Sequence, residues 1–290
     1  MNNLIKSLLA HAPVITDGAL GTQLQSLGLQ SGECPDSWNL THPELVSRVA
    51  SMYVEAGSEI ILTNTFRSNR IALQSAGLTE QVSHFNRAGV ELARRAAADR
   101  ARVFASMGPS GKMLMSGDVT EDELKVAFQE QAGALAEAGA DAIVIETMSD
   151  LAEAVIALSA AKETGLPVIV SIVFDSGKEK DRTMMGATPE IVAQELASAG
   201  ADSIGANCGL GMEGYIRVCA RLRAATSMPL WIKPNAGLPE IVDGKITYRT
   251  TAQEFADQAP ALRKAGADFI GGCCGSTPEF IRAVRQTLRA

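Results

Sequence analysis

Two adjacent cysteines, Cys273 and Cys274, sit in the stretch Gly271-Gly272-Cys273-Cys274-Gly275-Ser276-Thr277-Pro278. Neighbouring residues of a regular strand point to opposite faces. Two thiols that converge on one point therefore need a chain leaving regular geometry, which the flanking glycines permit. A third cysteine, Cys208, lies between Asn207 and Gly209. Three thiolates with one position left open suit a metal site that awaits a substrate. Zinc favours sulfur ligands and tetrahedral geometry, and a catalytic zinc keeps its fourth position free. No histidine competes for a ligand role. His11, His42 and His84 all lie in the N-terminal third and read as surface or capping residues. Their distance from the cysteines also leaves no Cys–His nucleophilic pair.

Three anionic sulfurs make a zinc ion electron-rich. Water on such an ion is acidified less than on a three-imidazole site, so hydrolysis is not its natural use. A thiol substrate suits it better. A free thiol has a pKa of about 8.5 and is mostly protonated at neutral pH. Binding to zinc removes that proton and leaves a nucleophilic thiolate, so the expected reaction is S-alkylation of a thiol. Asp17 and Glu146 could then hold an ammonium group, which makes the thiol an amino acid. The turn Asp17-Gly18-Ala19, with Gly21 beyond it, could offer backbone N–H groups to its carboxylate. Blander readings stay open. Cys273 and Cys274 could be small core residues or a vicinal disulfide. Asp17 could cap a turn, Glu146 could be an ion-pair residue, and Lys233-Pro234-Asn235-Ala236-Gly237 could be a tight turn. Cys219 reads as core, Glu279 as a helix-start charge, and Cys34, in a polar loop, is given no role.

These residues need a scaffold. Eight nearly continuous apolar runs recur: Val14–Ala19, Glu59–Phe66, Arg102–Met107, Asp141–Met148, Pro167–Phe174, Asp202–Cys208, Leu230–Pro234 and Asp268–Cys273. Such runs fit parallel strands buried on both faces. Between them lie stretches with helical spacing, such as Pro43–Ala56, Glu80–Ala98, Glu121–Ala138, Asp150–Lys162 and Gln253–Lys264. A repeated device, seen in "EAGSEI", "EAGADAI", "SAGADSI" and "KAGADFI", precedes the second, fourth, sixth and eighth runs. A helix ends there, glycine caps it, and a strand begins. Thr41–Glu44, Thr120–Glu123 and Thr251–Glu254 fit capping boxes, and Pro278 fits a first helical position. The pattern predicts a single (β/α)8 TIM barrel over residues 1–290. A doubly wound sheet is disfavoured, because no G-x-G-x-x-G follows the first strand. In such barrels the active site lies at the C-terminal ends of the strands, where Asp17, Glu146, Cys208, Cys273 and Cys274 all fall.

The bulk numbers agree. The 290 residues carry a net charge of −7 with no basic stripe, which argues against nucleic acid. No run reaches transmembrane length, and the N-terminal residues read as a first helix, not a signal peptide. Five cysteines in a chain of this size argue against a disulfide framework and for a reducing, cytoplasmic setting.

The motifs "TDGALGT", "LTNTF", "GPSGK", "GANCGLG", "KPNAGLP" and "GGCCGSTPE" resemble, in order, those of the homocysteine S-methyltransferase family. They look most like the homocysteine domain of the cobalamin-dependent methionine synthases. The resemblance implies zinc-dependent methyl transfer to homocysteine, giving methionine. It carries zinc ligation onto Cys208, Cys273 and Cys274, and amino-group binding onto Asp17 and Glu146. With one barrel in hand, it implies a methylated corrinoid brought by a separate protein. S-methylmethionine and betaine are the alternative donors. The strand-end loops read as short, with no extra segment to roof a small-donor pocket.

Overall fold

The computed structural model describes residues 2–242 and 245–289. Eight parallel strands form its centre: β1 (Val14–Ile15), β2 (Ile60–Leu62), β3 (Arg102–Met107), β4 (Ala142–Met148), β5 (Val168–Ile172), β6 (Ser203–Gly211), β7 (Leu230–Asn235) and β10 (Phe269–Ile270). Their order is β1-β10-β7-β6-β5-β4-β3-β2. A parallel bridge from Thr16 to Ile60 joins the first strand to the last and closes the ring. The expected TIM barrel is the observed fold.

Alternation along each strand divides the core in two. Val14, Ile60, Leu62, Phe104, Val144, Ile169, Trp231 and Phe269 fill the barrel interior. Their neighbours Ile15, Ile61, Val103, Ile143 and Ile232 face the surrounding helices. The N-terminal helix, Asn3–Leu9, adds Ile5 to the interior cluster, with Leu4, Leu8 and Leu9 against it. It thus covers the end of the barrel from which the strands start. Among the described residues no helix is long and apolar enough to cross a membrane.

The repeated glycine device works as read. Gly57, Gly139, Gly200 and Gly266 have φ of +99°, +92°, +84° and +112°. This left-handed region is open to glycine at little cost. Thr120 and Thr251 form reciprocal capping boxes with Glu123 and Glu254. The box expected at Thr41–Glu44 does not form. Thr41 ends the short helix Trp38–Thr41, its hydroxyl bonded to the Ser37 carbonyl, and His42 precedes the helix Pro43–Ala56. The helix expected over Gln253–Lys264 is two, Ala252–Asp257 and Ala259–Lys264. Pro260 has no N–H to give the Ala256 carbonyl, so the ladder breaks there.

Strand lengths depart from expectation at the end that matters. The first, second and eighth runs pair over only two or three residues, and their polar ends leave the sheet. The connections after the strands are also longer than expected. Helices Leu20–Ser26 and Trp38–Thr41 occupy the link after β1. An antiparallel pair, β8 (Glu240–Val242) and β9 (Lys245–Thr247), stands after β7.

Candidate active site

Cys208 owes its direction to a break in its strand. The β6–β7 register shifts between Asn207 and Gly211, and Cys208 has a φ of +62°. Two strands along, the β4–β5 register shifts between Ile145 and Met148, and Thr147 also has a φ of +62°. Such irregularities re-aim side chains at barrel rims. Asn207 fastens the two together. Its Oδ1 accepts from the Thr147 N–H at 2.9 Å, and its Nδ2 donates to Thr147 Oγ1 at 2.7 Å. The same Nδ2 points at Cys273 Sγ, 3.6 Å away.

Cys273 and Cys274 lie on a turn pinned from both sides. The Cys273 N–H donates to the Pro234 carbonyl at 2.7 Å, and the Cys274 carbonyl accepts from Ala236 at 2.9 Å. Ser276 donates its hydroxyl to the Cys273 carbonyl at 2.7 Å. The three sulfurs lie within 4.8 Å of one another, and Cys208 Sγ is 3.8 Å from Cys274 Sγ. Zinc–sulfur bonds of about 2.3 Å at tetrahedral angles require sulfurs roughly 3.8 Å apart, whereas a disulfide requires about 2.05 Å. The spacing therefore fits a shared zinc ion. Asn235, beside the triad on β7, is 4% exposed and its Oδ1 has no hydrogen-bond partner. Hydrogen bonds from Cys273 and Cys274 pull the Cys208 thiol down to about 3. Its bond to Cys208 pushes Cys273 up to about 11, and Cys274 is pushed up by the same partner.

Every residue expected at the site borders one cavity of about 380 Å³: Asp17, Gly18, Ala19, Glu146, Cys208, Cys273 and Cys274. Glu146 is 8% exposed and accepts from Ser106 Oγ at 2.5 Å. Burial pushes its carboxyl up to about 7, helped by the charges of Cys273 and Asp17 and opposed by Lys233 and Ser106. Asp17 is 2% exposed; its Oδ2 accepts from the Leu62 N–H at 2.7 Å and its Oδ1 from Lys233 Nζ at 2.5 Å. Gly18 is needed for closeness, since a Cβ there would lie 2.8 Å from both Ser276 Oγ and the Tyr53 ring. The Ala19 N–H is committed to Ser276 Oγ at 3.2 Å, and Tyr53 donates to the Ala19 carbonyl at 2.8 Å.

Several site residues escaped the sequence reading. Lys233 did carry a signal, a cation at the end of an apolar run. Ser276 sits within a quoted motif but shows its partners only in three dimensions. Tyr248 follows β9, and its ring lies against Gly275, where a Cβ would be 2.2 Å from Tyr248 Cγ. The assembled cavity pairs a cluster of three sulfurs, which could hold a soft metal ion, with two buried carboxylates. It is equipped to hold a small thiol that carries an ammonium group.

Comparison with known proteins agrees with that chemistry. A methionine synthase of Mycobacterium leprae is 28% identical over 299 residues, covering 97% of this chain and 24% of that protein. A methionine synthase of Mycobacterium tuberculosis is 29% identical over 300 residues, covering 97% and 25%. The chain thus spans about a quarter of the length of these relatives. The homocysteine methyltransferase MmuM of Escherichia coli has the same fold. Its metallated form superposes with a TM-score of 0.82 at 24% identity, covering 99% of this chain and 100% of that one. Its oxidised form gives 0.82 at 25% identity, with both chains fully covered. The family model for homocysteine S-methyltransferase matches residues 14–288, and the chain belongs to that family.

Proposed function

We propose that this chain, working as one barrel unit, transfers a methyl group to the thiol of homocysteine to give methionine. Cys208, Cys273 and Cys274 hold zinc, and the donor is a methylated corrinoid carried by a separate protein. The observation that carries the reading is three sulfurs within 4.8 Å of one another, bordering a cavity that also holds Asp17 and Glu146. Bound there, zinc would supply the Lewis acidity that keeps an incoming thiol deprotonated at neutral pH. Asp17 and Glu146 take the α-ammonium and so fix the position of the thiol. Asn207 donates an N–H to Cys273 Sγ and stabilises its charge. The substrate sulfur forms a bond to the methyl carbon as the bond from that carbon to the donor breaks. The electron pair stays with the donor, and the thiol proton leaves to solvent. All five cysteines are free, which suits a reducing compartment such as the cytoplasm.

The corrinoid donor is supported by similarity to the two methionine synthases along 97% of the chain. A small donor such as S-methylmethionine or betaine is the second reading. It is favoured by Tyr248, which follows the β8–β9 pair and crowds the Cys274 turn.

Metal analysis tests the centre. The parent protein should hold close to one zinc per chain, and a Cys208→Ala, Cys273→Ala double variant should hold almost none. X-ray absorption at the zinc edge should register a fourth sulfur when homocysteine is added. An unchanged sulfur count would instead mark a closed structural zinc. Asp17→Asn or Glu146→Gln should weaken homocysteine binding about ten- to a hundredfold with zinc content unchanged, as expected for loss of a charge-assisted hydrogen bond.

A further inference from the structure

We infer that Lys233 is a positioning residue for substrate binding: a resident ammonium that holds Asp17 with its free lone pairs turned toward the α-ammonium of the substrate. The inference rests on the reading of the site as a homocysteine site. Lys233 shares the interior-facing series of β7 with Trp231, two residues before it, and its side chain is 3% exposed. Lysine is almost never buried this far unless it is paired. Its partner is Asp17, 2.5 Å away, just beyond β1 and one strand removed from β7.

A buried ion pair is a poor way to stabilise a fold, because desolvation offsets the attraction and apolar replacements are often neutral. The pair therefore calls for another explanation. Asp17 is held at two points, by Lys233 Nζ on Oδ1 and by the Leu62 N–H on Oδ2. Two fixed contacts set both the tilt and the rotation of the carboxylate plane. Each carboxylate oxygen accepts along two directions, so each keeps one for a ligand in the cavity that Asp17 borders.

The lysine is itself fixed. Its Nζ lies 5.8 Å from the centre of the Trp231 ring, a cation–π contact from within the barrel. Trp231 is stacked with Phe104 at 6.1 Å and packed against Phe269 at 5.5 Å. Lys233 also balances charge. Its field acts on Glu146 and Cys273 as well as on Asp17.

The test is homocysteine binding to zinc-loaded Lys233→Met by calorimetry, with turnover measured alongside. The dissociation constant should rise about ten- to a hundredfold. Zinc content should stay near one per chain, and kcat at saturating homocysteine should change much less than KM. Adding Asp17→Asn to Lys233→Met should weaken binding less than it does in the parent, since the two residues act as one unit. Lys233→Ala supplies the readout that a purely structural role would not move: n-propylammonium should restore affinity and n-propanol should not. If Lys233→Met does not fold, Lys233→Gln takes its place with a smaller loss expected. Parental affinity in the substituted protein, or equal rescue by the neutral alcohol, would overturn the assignment. A parent protein that fails to bind homocysteine would instead overturn the functional reading, and this inference with it.

Discussion

Asp36 shows how much one residue can set. It lies in the turn Pro35–Ser37, 1% exposed, and its Oδ1 accepts from the Arg67 N–H at 3.1 Å and from Ser68 Oγ at 2.8 Å. Burial pushes its carboxyl up to about 6 despite those bonds. The fold thus prefers the protonated form. Below about pH 4 the unfolded chain is protonated too, so this preference is fully satisfied. As the pH rises through 6 the folded chain must hold a buried carboxylate, and stability falls. The shift corresponds to roughly 3 kcal/mol between those limits. Asn at this position keeps the acceptor on Oδ1 and carries no charge. Asp36→Asn should flatten the loss of stability between pH 4 and 6 and raise stability at pH 7 by up to that amount, read from urea unfolding at a series of pH values. A parallel pH profile in the variant would count against the assignment. At this scale the sequence is legible where chemistry resides in residue type. Cys208, Cys273, Cys274, Asp17 and Glu146 announce themselves and meet at one cavity. The pairing of Lys233 with Asp17 and the contacts of Ser276 do not, because their meaning is the distance to a partner far along the chain.

Elements carry those residues through their ends, and the ends are where pattern reading loses resolution. Apolar periodicity located all eight barrel strands, because each must fill the barrel on one side and meet helices on the other. It overran β1, β2 and β10, where polar residues leave the ladder to reach the cavity, and it stopped short on β6. There the chain continues to Gly211 through a register shift that a run of small residues does not disclose. Close approach of β6 and β7 is the other hidden requirement. A Cβ at Gly205 would sit 1.7 Å from the Trp231 carbonyl oxygen, a backbone atom that cannot step aside. Gly205→Ala should cost about 3 kcal/mol or more and weaken zinc retention, since β6 carries Cys208. Gly133, in the helix Glu121–Glu137, has nothing within 4 Å of such a Cβ. Gly133→Ala should stabilise the chain by roughly 0.5–1 kcal/mol through helix propensity alone. Denaturant midpoints of the two variants check the contrast, and equal effects would refute the packing argument.

The molecule as a whole is a barrel whose closed end is covered by a helix and whose open end is ringed by long connections. Sequence repeats made the barrel legible, whereas the connections after β1 and β7 were underestimated, since irregular segments have no periodicity to count. Those connections bear on the donor. Exposed apolar side chains cluster on the connections after β3, β5 and β7: Met113, Met115, Met184, Met185, Leu238 and Ile241, the last 80% exposed. Apolar exposure around a site mouth suits a face that another protein covers. Flexible methionines suit an adaptable contact. A corrinoid is too large for a cavity of about 380 Å³ and would present its methyl group from outside, best oriented when held on a docked carrier. A compact onium donor would instead enter the cavity beside the homocysteine and need no carrier. The two cases separate in one assay panel with zinc-loaded protein and homocysteine. Methionine should form with free methylcobalamin or a methylated corrinoid protein, faster with the protein-borne donor at equal concentration, because docking orients the methyl group for in-line attack. Betaine and S-methylmethionine should give little turnover. Rapid turnover with S-methylmethionine and none with either corrinoid donor would reverse the donor assignment, while the zinc triad and its homocysteine would stand on their own tests.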